Sequence, residues 1–187
     1  MKKLFFALAV IGTVFLATPI MAQAAIDPVV AERLAFMREE EKLAHDVYTL
    51  FAGLYDETTP GARIFGRIAE AETRHTEAVL NLLVKYGLVD PASPDPGVFY
   101  NAELQKTYDT LVLIGLQGKM EALGVGVVIE QQDLTDIGAA IEVSIAYPDI
   151  VKVYSNLLSG SESHLAAFMQ ALEKPDGSGS GNGRRGQ

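Results

Sequence analysis

Apolar residues recur at steps of three and four along four long segments of this chain, and this period restricts the fold more than any other feature. Asp27-Pro28 and Thr59-Pro60 each join a capping side chain to a proline, a combination that favours the start of a helix. The predicted helices are A, residues 28–55; B, residues 60–86; C, residues 119–143; and D, residues 148–174, with a shorter helix at residues 101–114. The pattern therefore predicts an all-α fold, a four-helix bundle.

The connections between these helices differ in length, and the difference predicts how the helices pack. Helices A and B, and likewise C and D, are joined by a few residues, so each pair should be antiparallel neighbours. About thirty residues, including the short helix, separate B from C. Because a helix of 25 residues is roughly 37 Å long, such a connection can return the chain to the end of the bundle that it left. We expect a bundle with one long crossover.

The first 24 residues have the pattern of a secretory signal peptide. Two lysines precede a long apolar run, and the small residues Ala22 and Ala24 form a cleavage pattern. An uncleaved membrane anchor is the alternative, because the apolar run to Met21 approaches the roughly 20 residues that span a bilayer. Pro19 favours cleavage after Ala24. Cleavage predicts an exported protein, either periplasmic or extracellular.

Composition excludes several functions. Loss of the leader removes two lysines and no acidic residue, which leaves 13 basic and 24 acidic residues and changes the net charge from −9 to −11. This balance disfavours nucleic acid and anionic membranes as partners. The chain has no cysteine, which excludes disulfides, iron-sulfur clusters and thiolate zinc sites. We expect residues 25–174 to form the bundle and the Gly- and Ser-rich residues 175–187 to be a disordered tail.

Every long helix carries an ionisable residue near the middle of its apolar stripe. These residues are Glu41 in helix A, Glu72 and His75 in B, Glu130 in C and His164 in D, with Asp133 one turn beyond Glu130 and slightly off its stripe. A carboxylate that is buried alone costs several kcal/mol, so charges at similar depth on four helices require a shared partner. Carboxylates and imidazoles are ligands suited to iron, manganese or zinc. The joint pattern predicts a centre that binds one or two metal ions.

Some of these residues have ordinary explanations when taken singly. A lone histidine on an apolar stripe, such as His164, is often a hydrogen-bonded core residue. The run of Glu39, Glu40 and Glu41 resembles a solvated face, in which only one side chain should point fully inward. Helical period alone does not decide between Glu40 and Glu41.

Other polar residues of helix A are open to more than one interpretation. Tyr48 lies two turns from Glu41, so its phenol could hydrogen-bond a metal ligand or donate an electron. A plain aromatic core residue would have the same spacing. Lys42 and Asp46 form an i, i+4 pair of the kind that only supports a helix. His45 lies on the polar side, where we expect it to face solvent or to contact a ligand from outside.

These residues resemble the ferritin and rubrerythrin superfamily of di-iron carboxylate proteins. The resemblance rests on Glu41 seven residues before Tyr48, on Glu72-x-x-His75, on the inward Glu130 and on His164 in the fourth helix. The phrases Met37-Arg-Glu-Glu-Glu-Lys-Leu-Ala, Tyr86-Gly-Leu and Leu157-Leu-Ser-Gly-Ser are similar to one exported ferritin-like branch that is defined only as a domain of unknown function. The similarity extends over residues 31–173.

The resemblance implies a ferritin-like bundle and a role for each residue. It implies Glu41 as the ligand from helix A, Glu72 as a bridging carboxylate, His75 as a terminal ligand, Glu130 as the ligand from helix C and His164 as the second imidazole. Better-known members repeat Glu-x-x-His on the fourth helix, whereas Ser161 stands in that glutamate position here. Asp133 could supply the missing carboxylate, and without it a site for a single metal ion is expected.

Three functions are compatible with this sequence. The first is a di-iron protein that oxidises Fe(II) with dioxygen or peroxide, an oxidoreductase of the ferroxidase or peroxidase type, because carboxylates stabilise Fe(III) and imidazoles retain Fe(II). The second is a non-enzymatic protein that holds iron, manganese or zinc. The third is a helical interaction module with a metal-free polar network. The sequence is compatible with a homodimer and does not identify an electron donor.

Overall fold

The computed structural model describes residues 25–56 and 63–173. They form helices α1 (Pro28–Phe51), α2 (Ile64–Lys85), α3 (Ala102–Gly115), α4 (Lys119–Val143) and α5 (Pro148–Glu173), and a π-helix (Ala52–Asp56) continues α1. Neither range contains a strand, which confirms the all-α class. The predicted signal peptide, residues 1–24, and the predicted tail, residues 175–187, lie outside the described residues. None of the described helices combines the length and the apolarity that crossing a membrane requires.

Capping side chains account for the start of α1 and α3. Asp27 accepts a hydrogen bond from the Val29 amide at 2.8 Å, and Asn101 accepts one from the Glu103 amide at 2.9 Å. The end of α1 differs from the prediction, because its turns widen into a π-helix after Phe51 instead of continuing as an α-helix. The predicted start of helix B, at residues 59–60, lies outside the described residues.

The four long helices pack as two antiparallel pairs, α1 with α2 and α4 with α5. Val30, near the start of α1, shares a core cluster with Leu83, near the end of α2. At the other end of the bundle, the Phe65 ring of α2 lies 5.5 Å from Phe51 and 5.7 Å from Phe168, between ring centroids. Helix α2 therefore runs opposite to both α1 and α5, and parallel to α4. This arrangement confirms the single long crossover, residues 86–118, which contains α3.

A polar layer divides the core of the bundle into two apolar clusters. One cluster includes Phe51, Phe65 and Phe168, and the other includes Leu34 and Ile150. The residues that lie between the two clusters along the helices are Glu41, Glu72, His75, Glu130, Asp133 and His164. Ionisable groups from all four long helices therefore meet at one level, with apolar packing above and below.

Three polar side chains of α1, Glu39, Lys42 and Asp46, hold the crossover, and we call them the crossover anchor. All three are buried. Glu39 accepts a hydrogen bond from the Tyr100 amide at 2.8 Å, and Asp46 accepts one from the Gly97 amide at 2.8 Å. Lys42 donates a hydrogen bond to Asp46. It donates a second one to the Asp95 carbonyl of the crossover, at 3.0 Å. The prediction that Lys42 and Asp46 merely support the helix is wrong, because the crossover covers this face of α1.

Candidate metal centre

Five side chains from the four long helices converge in the polar layer as two overlapping groups. The first group is Glu41, Glu72 and His75, and the second is Glu72, Glu130 and His164. Within each group, one ligand atom from each residue lies within 4.8 Å of the others. We call these five residues the carboxylate-histidine centre. All five were predicted site residues, and the structure brings them together.

Glu72 belongs to both groups, and its two oxygens face different imidazoles. Nδ1 of His75 lies 2.8 Å from Oε2 of Glu72 and 3.2 Å from Oε2 of Glu41. Nδ1 of His164 lies 2.8 Å from Oε1 of Glu72 and 3.6 Å from Oε2 of Glu130. The two imidazole rings are nearly parallel, with centroids 5.6 Å apart. The centre is therefore nearly symmetric about the Glu72 carboxylate.

Several polar atoms of the centre are buried without a hydrogen-bond partner. They are both oxygens of Glu72, Oε1 of Glu41, Oε2 of Glu130 and Nδ1 of His164. The 2.8 Å contacts of Glu72 are thus close approaches that lack the direction of a hydrogen bond. Buried polar atoms seldom remain unsatisfied, whereas lone pairs converging from carboxylates and imidazoles suit a divalent cation. The residues present fit iron, manganese or zinc.

Charge is strongly coupled within the centre. Although burial acts to lower it, contacts with the neighbouring carboxylates raise the pKa of His75 to about 10 and that of His164 to about 9. Although burial acts to raise it, the two imidazoles lower the pKa of Glu72 to about 2. Burial raises the pKa of Glu41 to about 8, against the opposing effect of His75. Without metal, two imidazolium cations therefore enclose the Glu72 anion at neutral pH.

Metal binding should release protons from this centre. Ligand atoms must be deprotonated, and the pKa values of His75 and His164 both lie above 7 in the metal-free protein. We expect at least two protons to leave each chain when metal binds at pH 7, one from each imidazole, and Glu41 should contribute part of a third. The affinity for metal should therefore fall as the pH falls from 9 to 6. Calorimetric titration with Mn(II) in buffers of different ionisation enthalpy measures this release. Binding with no proton release would contradict the assignment of both imidazoles as ligands.

Two buried tyrosines flank the centre. The Tyr48 hydroxyl donates a hydrogen bond to Oε1 of Glu130 at 2.7 Å. Burial and then the charge of Glu130 raise the pKa of Tyr48 well above its usual range, so it stays a donor. Tyr154 of α5 is fully buried, and its hydroxyl has no hydrogen-bond partner. Sequence reasoning missed Tyr154, because an aromatic residue on an apolar stripe gives no sign of a free hydroxyl.

Asp133 lies beside the centre without joining either group. It is 2% exposed and belongs to the buried face of α4, not to the edge of that face. Burial and then the negative charge of Glu41 raise the pKa of Asp133 well above its usual range. Ser161 is buried, and its hydroxyl donates to the Leu157 carbonyl of its own helix at 3.2 Å. Helix α5 thus contributes an imidazole but no carboxylate.

The structure separates the three consecutive glutamates of α1. Glu41 lies in the centre, Glu39 belongs to the crossover anchor, and Glu40 faces a cavity between α1, α3 and α4. The comparison with a solvated face is wrong, since all three are buried, but only Glu41 enters the centre. Helix α1 is covered by α2 and α4 on one side and by α3 and the crossover on the other. His45 is half-buried, and its Nδ1 lies 3.0 Å from Oδ1 of Asp46, away from the centre.

Gly160 of α5 allows His75 to occupy its position. A Cβ atom at Gly160 would lie 2.6 Å from both Cε1 and Nε2 of the His75 ring. Sequence reasoning did not identify this residue. A signal was nevertheless present, because glycine inside a helix costs about 1 kcal/mol relative to alanine and Gly160 stands one turn before His164. Such a glycine indicates a close approach by another element.

Comparison with known proteins agrees with this architecture. The family described as "Uncharacterized protein domain (DUF2202)" matches residues 31–180. The uncharacterized protein MJ0754 of Methanocaldococcus jannaschii is 42% identical over 142 residues, which are 75% of this chain and 74% of that protein. The crystal structure of hypothetical protein MJ0754 from Methanococcus jannaschii is similar with a TM-score of 0.75 and 38% identity, over 82% of this chain and 85% of that one.

A more distant likeness concerns the fold alone. The bacterioferritin BfrA of Mycobacterium tuberculosis is similar with a TM-score of 0.63 at 18% identity, over 79% of this chain and 86% of that one. This likeness confirms the predicted ferritin-like bundle. The family match agrees with a ferritin-like domain of unknown function, while the export predicted for that branch stays a prediction. The chain therefore belongs to the DUF2202 family, and its fold is a ferritin-like four-helix bundle.

Proposed function

We propose that this chain binds two iron ions in the carboxylate-histidine centre and oxidises Fe(II) with dioxygen or hydrogen peroxide. The observation that carries the proposal is the position of Glu72, whose two oxygens each face a different Nδ1 at 2.8 Å without a hydrogen bond. A carboxylate in this position can bridge two cations, one on each side. The likeness in fold to a bacterioferritin supports iron, although fold alone does not fix function.

Each residue of the centre has a distinct part in this proposal. Glu41 and His75 would hold one ion, Glu130 and His164 the other, and Glu72 both. Carboxylates stabilise Fe(III) and imidazoles retain Fe(II), so the set suits an ion that changes its oxidation state. The second ion lacks a carboxylate from α5. Asp133, which lies beside the centre, would be the residue to supply that ligand.

The reaction balances with the centre alone as the source of electrons. With two Fe(II) ions bound, the centre would supply two electrons, enough to reduce one dioxygen to hydrogen peroxide or one hydrogen peroxide to two waters, with two protons taken up in either case. The chain itself places an apolar cluster on each side of the centre, which limits the access of water along the bundle. Tyr48 orients Glu130 through its hydrogen bond. The phenol of Tyr48 could also donate an electron to the centre.

We also propose export as the setting of this reaction. The amino-terminal sequence supports cleavage after Ala24 and a periplasmic or extracellular location. With no cysteine, the chain cannot carry the thiolate-bound iron that donates electrons in rubrerythrins. Repeated turnover with peroxide would therefore require an external reductant.

The proposal is tested by loading metal-free protein with Fe(II) under anaerobic conditions. We expect binding to saturate at two ions per chain, as measured by metal analysis after desalting. Addition of dioxygen should then produce a near-ultraviolet absorption band, with one dioxygen consumed for every two Fe(II) oxidised. The band should appear faster than oxidation of the same Fe(II) in buffer.

Two outcomes would contradict this function, and they differ in meaning. Two ions bound without faster oxidation would leave a non-enzymatic metal-binding protein, for which zinc and manganese should then compete well with iron. Failure to bind Fe(II), Mn(II) or Zn(II) at all would leave a metal-free helical module.

A further inference from the structure

A cavity of about 240 Å³ lies between α1, α3 and α4, on the side of Asp133. Leucines of α1 and α3 form much of its wall, but Glu40, Asp133 and Asp136 line it with three carboxylates. Glu103 stands at its edge on α3 and is exposed. The cavity has room for several water molecules. It can therefore admit a hydrated cation from solvent.

Glu40 is an unusual residue to find in such a wall. It is 5% exposed, and its Oε2 atom is buried without a hydrogen-bond partner. The Asp136 carboxylate lines the same cavity. Arg33 lies 3.9 Å from Asp136, but this long and partly solvated pair leaves Oε2 of Glu40 unsatisfied. A buried carboxylate oxygen that stays unsatisfied is costly, and a cation in the cavity would satisfy it.

Three acidic residues of α4 connect the cavity with the centre. Glu130, Asp133 and Asp136 follow at three-residue steps, and each step advances about 4.5 Å and turns the side chain about 60° around the helix. Glu130 is fully buried in the centre, Asp133 is 2% exposed, and the Asp136 side chain is 19% exposed. Asp133 and Glu40 line the same cavity. The carboxylates of α4 thus follow one another along the helix from a partly exposed position to the centre.

We propose that Glu40 and Asp136 form a transit site that captures a divalent cation in the cavity, and that Asp133 passes the cation to the carboxylate-histidine centre. This inference rests on the proposed function, because it requires a centre that accepts the ion. The transit site offers two carboxylates and no imidazole. It should therefore hold a cation through waters, more weakly than the centre does, and release it inward.

The test measures how fast metal reaches the centre and, separately, how much is bound. Metal-free protein is mixed with Co(II), and the visible absorption of the loaded centre is followed by stopped flow. We expect Asp136→Asn to slow loading about tenfold, because a focused negative site raises the local cation concentration, while binding still saturates at two ions. Glu142→Gln is the matched control, since it removes one negative charge from an exposed position of the same helix. The control should load at the rate of the unchanged protein.

Each outcome of this experiment bears on the proposal. Loading of Asp136→Asn at the rate of Glu142→Gln would overturn the transit site, and so would a loss of one bound ion, which would make Asp136 a ligand of the centre. Circular dichroism checks the fold of each variant. Should Asp136→Asn fail to fold, Glu103→Gln at the exposed edge of the cavity takes its place, and it too must slow loading.

A second measurement separates this inference from the proposed function. In a Glu72→Gln, His75→Ala background the centre is disabled, and Mn(II) binding is followed by the electron paramagnetic resonance of the free ion. We expect one weakly bound Mn(II) to remain, and to be lost when Asp136→Asn is added. If the disabled protein binds no Mn(II), the transit site is overturned even where the unchanged protein oxidises Fe(II). If the disabled protein binds one Mn(II) but the unchanged protein does not oxidise Fe(II), the transit site stands and only the proposed reaction fails.

Discussion

Replacement of Glu72 by glutamine will abolish the binding of two metal ions, because this side chain is the only member shared by both ligand groups of the centre. Glutamine keeps the size of the side chain but removes its charge and one of its two acceptor oxygens. Both groups then retain one carboxylate and one imidazole. Since losing an outer contact of a ligand already costs 10- to 100-fold in affinity, loss of this ligand should weaken binding by more than about 100-fold. Metal analysis after anaerobic loading with Fe(II) measures the effect.

The same substitution will destabilise the metal-free protein. Contacts with Glu41 and Glu72 raise the pKa of His75, and contacts with Glu130 and Glu72 raise that of His164, so both imidazoles are cationic at neutral pH. The variant removes the carboxylate that they share. Breaking a buried ion pair in this way costs roughly 3 kcal/mol, which a urea titration at pH 7 detects. Glu77→Gln is the control, since it removes the same charge from an exposed position on α2. A Glu72→Gln protein that still bound two ions would refute Glu72 as a bridge.

Replacement of Gly160 by alanine will reduce the bound metal from two ions to one. The new Cβ would lie 2.6 Å from Cε1 and Nε2 of His75 but 3.9 Å from Cε1 of His164. The first ring must move, which displaces its Nδ1 from Glu41 and Glu72, whereas the second ring can stay. The group that contains His164 should therefore keep its ion. Metal analysis and the stoichiometry of Fe(II) oxidation both report the loss.

Gly138→Ala separates this effect from the general effect of alanine in a helix. A Cβ at Gly138 meets no atom within 4 Å, so the change should stabilise the protein by up to about 1 kcal/mol and leave two ions bound. Gly160→Ala should instead gain nothing or lose stability. Equal metal content in the two variants would show that Gly160 does not position His75.

Much of this fold could be predicted from local sequence. Asp27 and Asn101 mark their helix starts because a side-chain oxygen can satisfy free amides at those positions. The five residues of the centre could be found because each interrupts an apolar stripe, and only a partner shared across helices explains four interruptions at one depth. Whether they bind metal stays a prediction.

The remaining features depend on contacts between segments distant in sequence. Helical period treats a face rich in glutamate as solvated, and it could not foresee that the crossover and α3 would cover Glu39 and Glu40. The sequence predicted one buried stripe on α4 and left Asp133 slightly outside it. In the structure α4 packs against α1, α3 and α5, so more than one of its faces is buried. The role of Gly160 depends on the approach of a ring from α2, which no pattern within α5 contains.

The crossover anchor has a consequence for the order of assembly. Glu39 and Lys42 stand within one turn of Glu41, and the amides that Glu39 binds lie 61 and 62 residues further along the chain. Closing so long a loop costs chain entropy before any contact compensates for it, so these bonds should form late in folding. The side chains that flank Glu41 are therefore fixed only once the crossover has docked. The proposed capture of iron would then follow complete folding, and unfinished chains would not expose loosely held, redox-active iron.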